Sequence, residues 1–399
     1  EFWVWQISAK KEKNKRMKPK ILLAVLILLT TTGQLLLAQT KGIVVDKVSR
    51  QPIAYVSIYT KTGDKVFGAV TNEKGEFSID FSFQTLFFSH INYEKTEILK
   101  SDIKDSIYLI PTTTLLSEVV VSSKQPKWIN SLLKQVVEQK NKNYQTKENV
   151  FSYKYESYTL TDSNGYAFKS NGNLQVPQLK KNTQYKIDAQ KNIIKYKDKT
   201  AGTDFSNLKR MLYDDFLLNL NSDFIKDNNF YLNNSFSDKN KNIIQLNFSS
   251  KKYTDYDGYL VVDTLNKVIL EVERNCGTVF NIKTQTSGVL RNLSSSKVGF
   301  NYNTWITKTI IKYSKVGQAY YMSDCKYKFY MKTSTHNKKV DLKYFTSMES
   351  HLSLENKTEK SLNEFKVIPK PYYLIVFYTK QMRKEEESLN KVPVTFEKF

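Results

Sequence analysis

Histidine is the side chain that most readily moves protons or holds zinc, and this chain has three, at His90, His336 and His351. His90 and His351 each stand four residues before a glutamate, Glu94 and Glu355. Zinc peptidases need paired ligands at spacings that are absent here, and three scattered histidines cannot rebuild such a centre. His90 falls in a turn and reads as structural; His336 lies in Thr335-His336-Asn337-Lys338-Lys339, a loop by composition. Asp255-Tyr256-Asp257-Gly258 has the opening of a calcium loop. Its later ligand positions hold Leu260, Val261 and Val262, so a hairpin turn is the better reading. Two cysteines, Cys276 and Cys325, exclude a four-cysteine metal site and a disulfide framework. No G-x-S-x-G, phosphate-binding loop or G-x-G-x-x-G occurs. Serine and carboxylate chemistry stays open on counting alone. No catalytic, cofactor-binding or metal-ligating residue is assigned, and no cofactor is expected.

The charge needs interpretation. The formal net charge is +22, which by itself points to nucleic acid or an anionic surface. Yet arginine occurs only at 16, 50, 210, 274, 291 and 383, six of the 61 basic residues. Nucleic-acid readers lean on arginine for bidentate contacts. Lysine comes here with abundant Asn, Tyr, Phe and Ile, a mixture expected of AT-rich coding sequence. A solvated lysine surface is therefore expected and a nucleic-acid partner is not.

Near the N-terminus, Met17, Lys18 and Lys20 precede an apolar run at 21–29, a polar patch, and Leu35-Leu36-Leu37-Ala38-Gln39. A basic start, a short apolar stretch and a small residue before a polar one describe a secretory signal peptide over 17–38. The run is far shorter than the ~20 residues of a membrane span. No cysteine lies near position 38, so lipid attachment there is not expected. Residues 1–16 read as an upstream extension.

Residues 39–123 read as a small β-sandwich, with short alternating strands separated by turn signals. Strands are expected at 42–46, 53–59, 86–89 and 106–109. Ala54, Val56 and Ile58 should face one side and Tyr55, Ser57 and Tyr59 the other. Residues 67–71 and 76–80 should form a hairpin around Asn72-Glu73-Lys74-Gly75. Five motifs stand in order: 41–46, Pro52-Ile53-Ala54-Tyr55-Val56, 71–77, 88–94 and Leu116-Ser117-Glu118-Val119-Val120-Val121. Together they resemble the carboxypeptidase-regulatory-like domain, a prealbumin-like sandwich. Such domains commonly begin secreted and TonB-dependent outer-membrane proteins of Bacteroidetes, and the resemblance implies no peptidase activity. Asn92 stands where the family usually has Gly.

Residues 124–148 read as a linker helix, with Trp128, Ile129, Leu132, Leu133, Val136 and Val137 forming its apolar stripe. From 149 to 380 an antiparallel β domain with a helical insertion at 205–226 is expected, its strands paired in sequence order. Residues 257–272 resemble the central hairpin of periplasmic lipoprotein-carrier-like half barrels. That resemblance implies a concave face lined by aromatic and aliphatic residues, suited to an apolar ligand. Residues 381–399 read as a frayed tail. The fold class is thus mainly β: sandwich, helix, then a larger sheet or half barrel.

Three functions stay open. The favoured one is a non-catalytic protein of the periplasm or outer membrane that binds a partner, such as an outer-membrane protein, or an apolar ligand. The others are an accessory of TonB-type uptake and a hydrolase without a recognised motif. Export would permit a Cys276–Cys325 bridge, stabilising by roughly 4 kcal/mol. A meander, however, leaves a strand between the two cysteines, which favours separate buried thiols. N-terminal sequencing of protein recovered from the envelope should start near Gln39. Recovery of a mature form that retains 21–37 would sink the signal assignment.

Overall fold

Short alternating strands bury their apolar face only when a second layer covers it. The chain supplies that layer twice, once with a second sheet and once with helices. A computed structural model describes residues 40–111, 126–285 and 300–398, save 55, 63–64, 73, 91–92, 162–163, 180–183, 197–204, 235, 237, 239–240, 338–339, 359–364 and 372–379. The signal segment, Asn92 and the 116–121 motif lie outside the described residues.

Seven strands come first: β1 (Thr40–Asp46), β2 (Ser57–Thr62), β3 (Lys65–Val70), β4 (Glu76–Ile79), β5 (Thr85–Ser89), β6 (Thr96–Leu99) and β7 (Ser106–Leu109). They form two sheets, β4-β1-β7 and β3-β2-β5-β6. Val44, Phe77 and Ile107 from one meet Ile58, Leu86 and Phe88 from the other in a shared core. Phe77 and Phe88 touch edge to face across it, 5.8 Å between centroids.

One expectation fails here. β3 and β4 are not a hairpin, because β3 pairs with β2 and β4 with β1. The turn between them is as expected, with Gly75 at φ +74 and Asn72 Oδ1 accepting from the Lys74 and Glu76 amides at 2.9 Å. It carries the chain from one sheet to the other. The alternation expected over 53–59 holds in direction, with Val56 and Ile58 in the sandwich core and Ser57 and Tyr59 on the opposite face, but that opposite face is buried as well. The outward face of β2 is covered by the rest of the molecule.

Helix α1 (Lys127–Asn143) buries Ile129, Leu132, Leu133 and Val136, the i, i+3, i+4, i+7 stripe. Trp128 lies about 100° off that stripe and is 47% exposed. Three long strands follow, β8 (Asn149–Thr161), β9 (Asn164–Val176) and β10 (Lys186–Tyr196). The helical insertion is three short helices, α2 (Ser206–Tyr213), α3 (Phe216–Asn219) and α4 (Ser222–Asp227). Asp215 caps α3 by accepting from the Leu217 amide at 3.1 Å, and Asn221 caps α4 through the Phe224 amide at 2.9 Å. Then come β11 (Asn228–Leu232), β12 (Ile243–Ser250), β13 (Tyr256–Asp263), β14 (Val268–Cys276), helix α5 (Thr278–Gln285), β15 (Phe300–Val316), β16 (Ala319–Asn337) and β17 (Val340–Thr358).

β11 to β17 pair in sequence order, the expected meander. The sheet then continues through β8, β9 and β10, so the first three strands of this region attach beyond its last long one. Short β18 (Lys366–Val367) and β19 (Thr395–Lys398) complete twelve strands by pairing with β10. The C-terminal end is not a frayed tail. Helix α6 (Lys380–Asn390) and β19 occupy it, Leu389 and Val392 are buried, and Glu386 pairs with Lys209 at 2.5 Å. Its charges mark the solvent side of packed elements.

Cys276 on β14 and Cys325 on β16 are free and buried, with β15 between them. Alkylation of unreduced protein in denaturant should therefore label two thiols per chain; labelling of none would show a bridge.

Candidate functional site

Directly opposed residues of antiparallel strands share a face, and the register of β12 to β17 sorts the helix-facing side of the sheet into rows. Leu246, Leu260, Val272, Ile311, Cys325 and Leu352 make one fully buried row. Two positions further along lie Phe248, Gly258, Arg274, Thr309, Tyr327 and Ser350. The next row holds Tyr256, Cys276, Thr307 and Phe329. An arginine, two threonines and a thiol thus interrupt an apolar surface.

Arg210, Met211 and Asp214 at the end of α2 and Phe280, Thr284 and Gln285 on α5 face these rows across a cavity of about 350 Å³. The expected aromatic and aliphatic lining holds for the first row but gives way to polar residues in the cavity. Gly258 helps to shape the site. A Cβ there would lie 1.9 Å from the Glu273 carbonyl oxygen and 3.0 Å from the Phe248 ring, so the row has no side chain beside Arg274 at that point.

Arg274 is the centre of the lining. Its Nη2 donates to the Asp214 carbonyl at 2.6 Å, and its guanidinium carbon stands 6.0 Å from the centre of the Phe216 ring. Its Nε is buried without an acceptor, and no carboxylate hydrogen-bonds to it among the described residues. Burial acts against its charge, but Tyr256, Cys276, Asp214 and Tyr313 outweigh that and hold its pKa above the ordinary arginine value. Arg210 reaches the Gln285 side chain at 3.4 Å, linking α2 to α5.

α5 is anchored by Asp255, whose carboxylate accepts from the Val279 and Phe280 amides at 2.7 and 3.2 Å. Asp257 accepts from Asn275 at 2.9 Å. The calcium-like aspartates are therefore a helix cap and a cross-strand bond. Phe280 stacks on Tyr256 at 4.2 Å, closing one wall.

Burial pushes the Cys276 thiol up to about 11, with Arg274 pulling the other way. A thiol that stays protonated at neutral pH is a weak nucleophile. None of the described lining residues is histidine. His351 lies on the other side of the sheet, with Nε2 2.5 Å from Asp324 Oδ2, while Glu355 pairs with Lys154 at 2.7 Å. The side chain of His336 lies outside the described residues. No group of three or more His, Cys, Asp or Glu side chains suited to a metal occurs among the described residues.

Arg210, Arg274 and Asp214 were not singled out from sequence. The usable signal was scarcity: where 55 of 61 basic residues are lysine, each arginine marks a position that lysine does not fill equally well.

His90 belongs to a second, structural site. There the outward faces of β2 and β5 meet the outward face of β8, β16 and β17. Ser57 Oγ donates to Ser347 Oγ at 2.9 Å, and Glu349 accepts from Tyr59 at 3.4 Å and from Ser89. Tyr59 stacks on Tyr158, and the His90 ring lies 5.9 Å from that of Tyr330.

Residues 40–121 match the CarboxypepD_reg-like domain family, which assigns the N-terminal sandwich to that class of domain. No curated protein matches the chain. Among solved structures the chain is similar to lipovitellin at 9% identity, over 54% of this chain and 26% of that one, with a TM-score of 0.27. It thus spans about a quarter of lipovitellin's length. It is similar to a DUF1329 family protein from Desulfovibrio piger at 10% identity, over 60% and 96% of the two chains, TM-score 0.23. A LolA superfamily protein from Nitrosomonas europaea gives 9% identity, 58% and 94% coverage, and a TM-score of 0.22. In no described helix is there a stretch long and apolar enough to cross a membrane.

Burial, and then the charge of Lys328, lower His90 from 6.5 to about 4. The unfolded chain therefore takes up the proton first. The stabilisation from neutral His90 is full above pH 6.5 and is lost as pH falls toward 4. For a half-buried ring the loss is on the order of 2 kcal/mol. The decline in unfolding free energy between those pH values should be shallower in His90→Gln, measured by denaturant titration; equal slopes would contradict the assignment.

Proposed function

We propose that this is a non-catalytic, exported protein of the cell envelope that holds a ligand in its large domain, with the regulatory-like sandwich fixed to the outer face of the sheet. The observation that carries this reading is the cavity between the sheet rows and α2 and α5. It sets three aromatic side chains, Tyr256, Phe280 and Tyr327, among converging polar groups that outnumber them, a lining more polar than that of most small-molecule sites and suited to a ligand with a polar or charged head. Its thiol stays protonated and its described lining supplies no histidine base, which supports binding over hydrolysis. The signal-like 17–38 segment and the class of the N-terminal domain support an envelope location.

Thr284 is exposed at the mouth on α5, so Thr284→Trp should narrow the entrance and leave the core intact. Protein purified from its native envelope, then denatured and analysed by mass spectrometry, should release a small molecule that Thr284→Trp lacks. The same compounds from both, or none from either, would overturn the ligand-holding role.

A further inference from the structure

Taking even part of a guanidinium out of water is costly unless charge or hydrogen bonds compensate it. Arg274 has five N–H donors in a planar fork. The described protein engages one of them, through the Asp214 carbonyl, and leaves Nε buried without an acceptor. A purely structural strut needs no such excess: a lysine ammonium could reach a carbonyl, and this chain uses lysine for that elsewhere, as Lys140 does for Leu217 and Leu220. The planar fork suits a planar or tetrahedral oxyanion.

Arg210 lines the same cavity from the helical side. Among the charged side chains that line it, Arg210 and Arg274 stand against Asp214 alone; Asp215, behind the lining, is held toward its neutral form by burial. Thr307 and Thr309, two positions apart on β15, add hydroxyls in adjacent rows, opposite Cys276 and Arg274. Tyr256 and Phe280, stacked on one another, offer a flat apolar wall, and Met211 a flexible one. A volume of about 350 Å³ is at the small end for a ligand pocket.

We propose that the cavity selects a small organic anion, a carboxylate or phosphate ester, with its oxyanion bonded by Arg274 and Arg210 and its apolar body against Tyr256, Phe280 and Met211. This rests on the reading of the cavity as a ligand site and names the chemistry of what enters it.

Calorimetric titration of the folded chain at low salt, with benzoate, phenyl phosphate and neutral benzyl alcohol as probes, tests it. At least one anion should bind about tenfold or more tightly than benzyl alcohol, and weaken as salt is raised. Benzoate alone would identify a carboxylate site, phenyl phosphate alone a phosphate-ester site. Arg274→Gln should lose about tenfold or more in affinity for that anion. Arg210→Gln, on the helix at the cavity's edge, should lose affinity with little effect on folding, so the test holds even if Arg274→Gln does not fold. Anions and benzyl alcohol binding alike, unmoved by either substitution, would overturn anion selection and leave the ligand-holding role standing. No binding by any probe would also overturn it, while the mass-spectrometric comparison with Thr284→Trp judges the broader role separately.

Discussion

Asp214 and Asp215 hold the helical layer against the sheet, and the cavity exists because of how they do it. Asp215 is fully buried, caps α3 and accepts a hydrogen bond from Tyr313 on β15. Burial raises its pKa, against the pull of Tyr313, the Leu217 amide and the nearby Arg274 and Lys140 charges. One residue earlier, the Asp214 carbonyl accepts from Arg274 on β14. Two adjacent residues thus reach two adjacent strands. They stop α2 at Tyr213 and start α3 at Phe216, and the break between the helices stands over the row where the sheet turns polar.

On the other side of that break the packing is apolar. Phe216, Phe224, Phe230 and Phe248 contact one another edge to face or tilted, and α1 lays its aliphatic stripe into the same core. On that side the cavity therefore borders a well-filled core. A site whose polar groups sit on strands and whose cover is tied down by a buried carboxylate is pre-organised, so a ligand need not pay to order it.

The sandwich is attached by different chemistry. Its junction is mixed, with serine hydroxyls, Glu349, Tyr59 on Tyr158 and a neutral His90. Tyr59 is also pushed well above the ordinary tyrosine range by burial and by Glu349 beside it, so it stays a hydrogen-bond donor. The junction keeps the sandwich on the outward face of β8, β16 and β17, away from the helix-facing cavity.

Local pattern alone determined much of this protein. The period-two strands, the α1 stripe, the helical insertion, the turn at Gly75 and the motifs of the regulatory-like domain could all be read, because each depends on residues near in sequence. What could not be read depended on pairing at long range. The partner of β4 is β1 and not its neighbour β3, and β8 joins β17 across nearly two hundred residues. Ser57 and Tyr59, polar-side positions by alternation, are buried because another part of the chain covers them. The charged end became a helix and an edge strand because Lys209 and β10 receive it. Arg274 could be seen as rare but not as central. Its environment is made by α2, α5 and three neighbouring strands, and only the tertiary structure brings those together to part-bury a guanidinium beside an open volume.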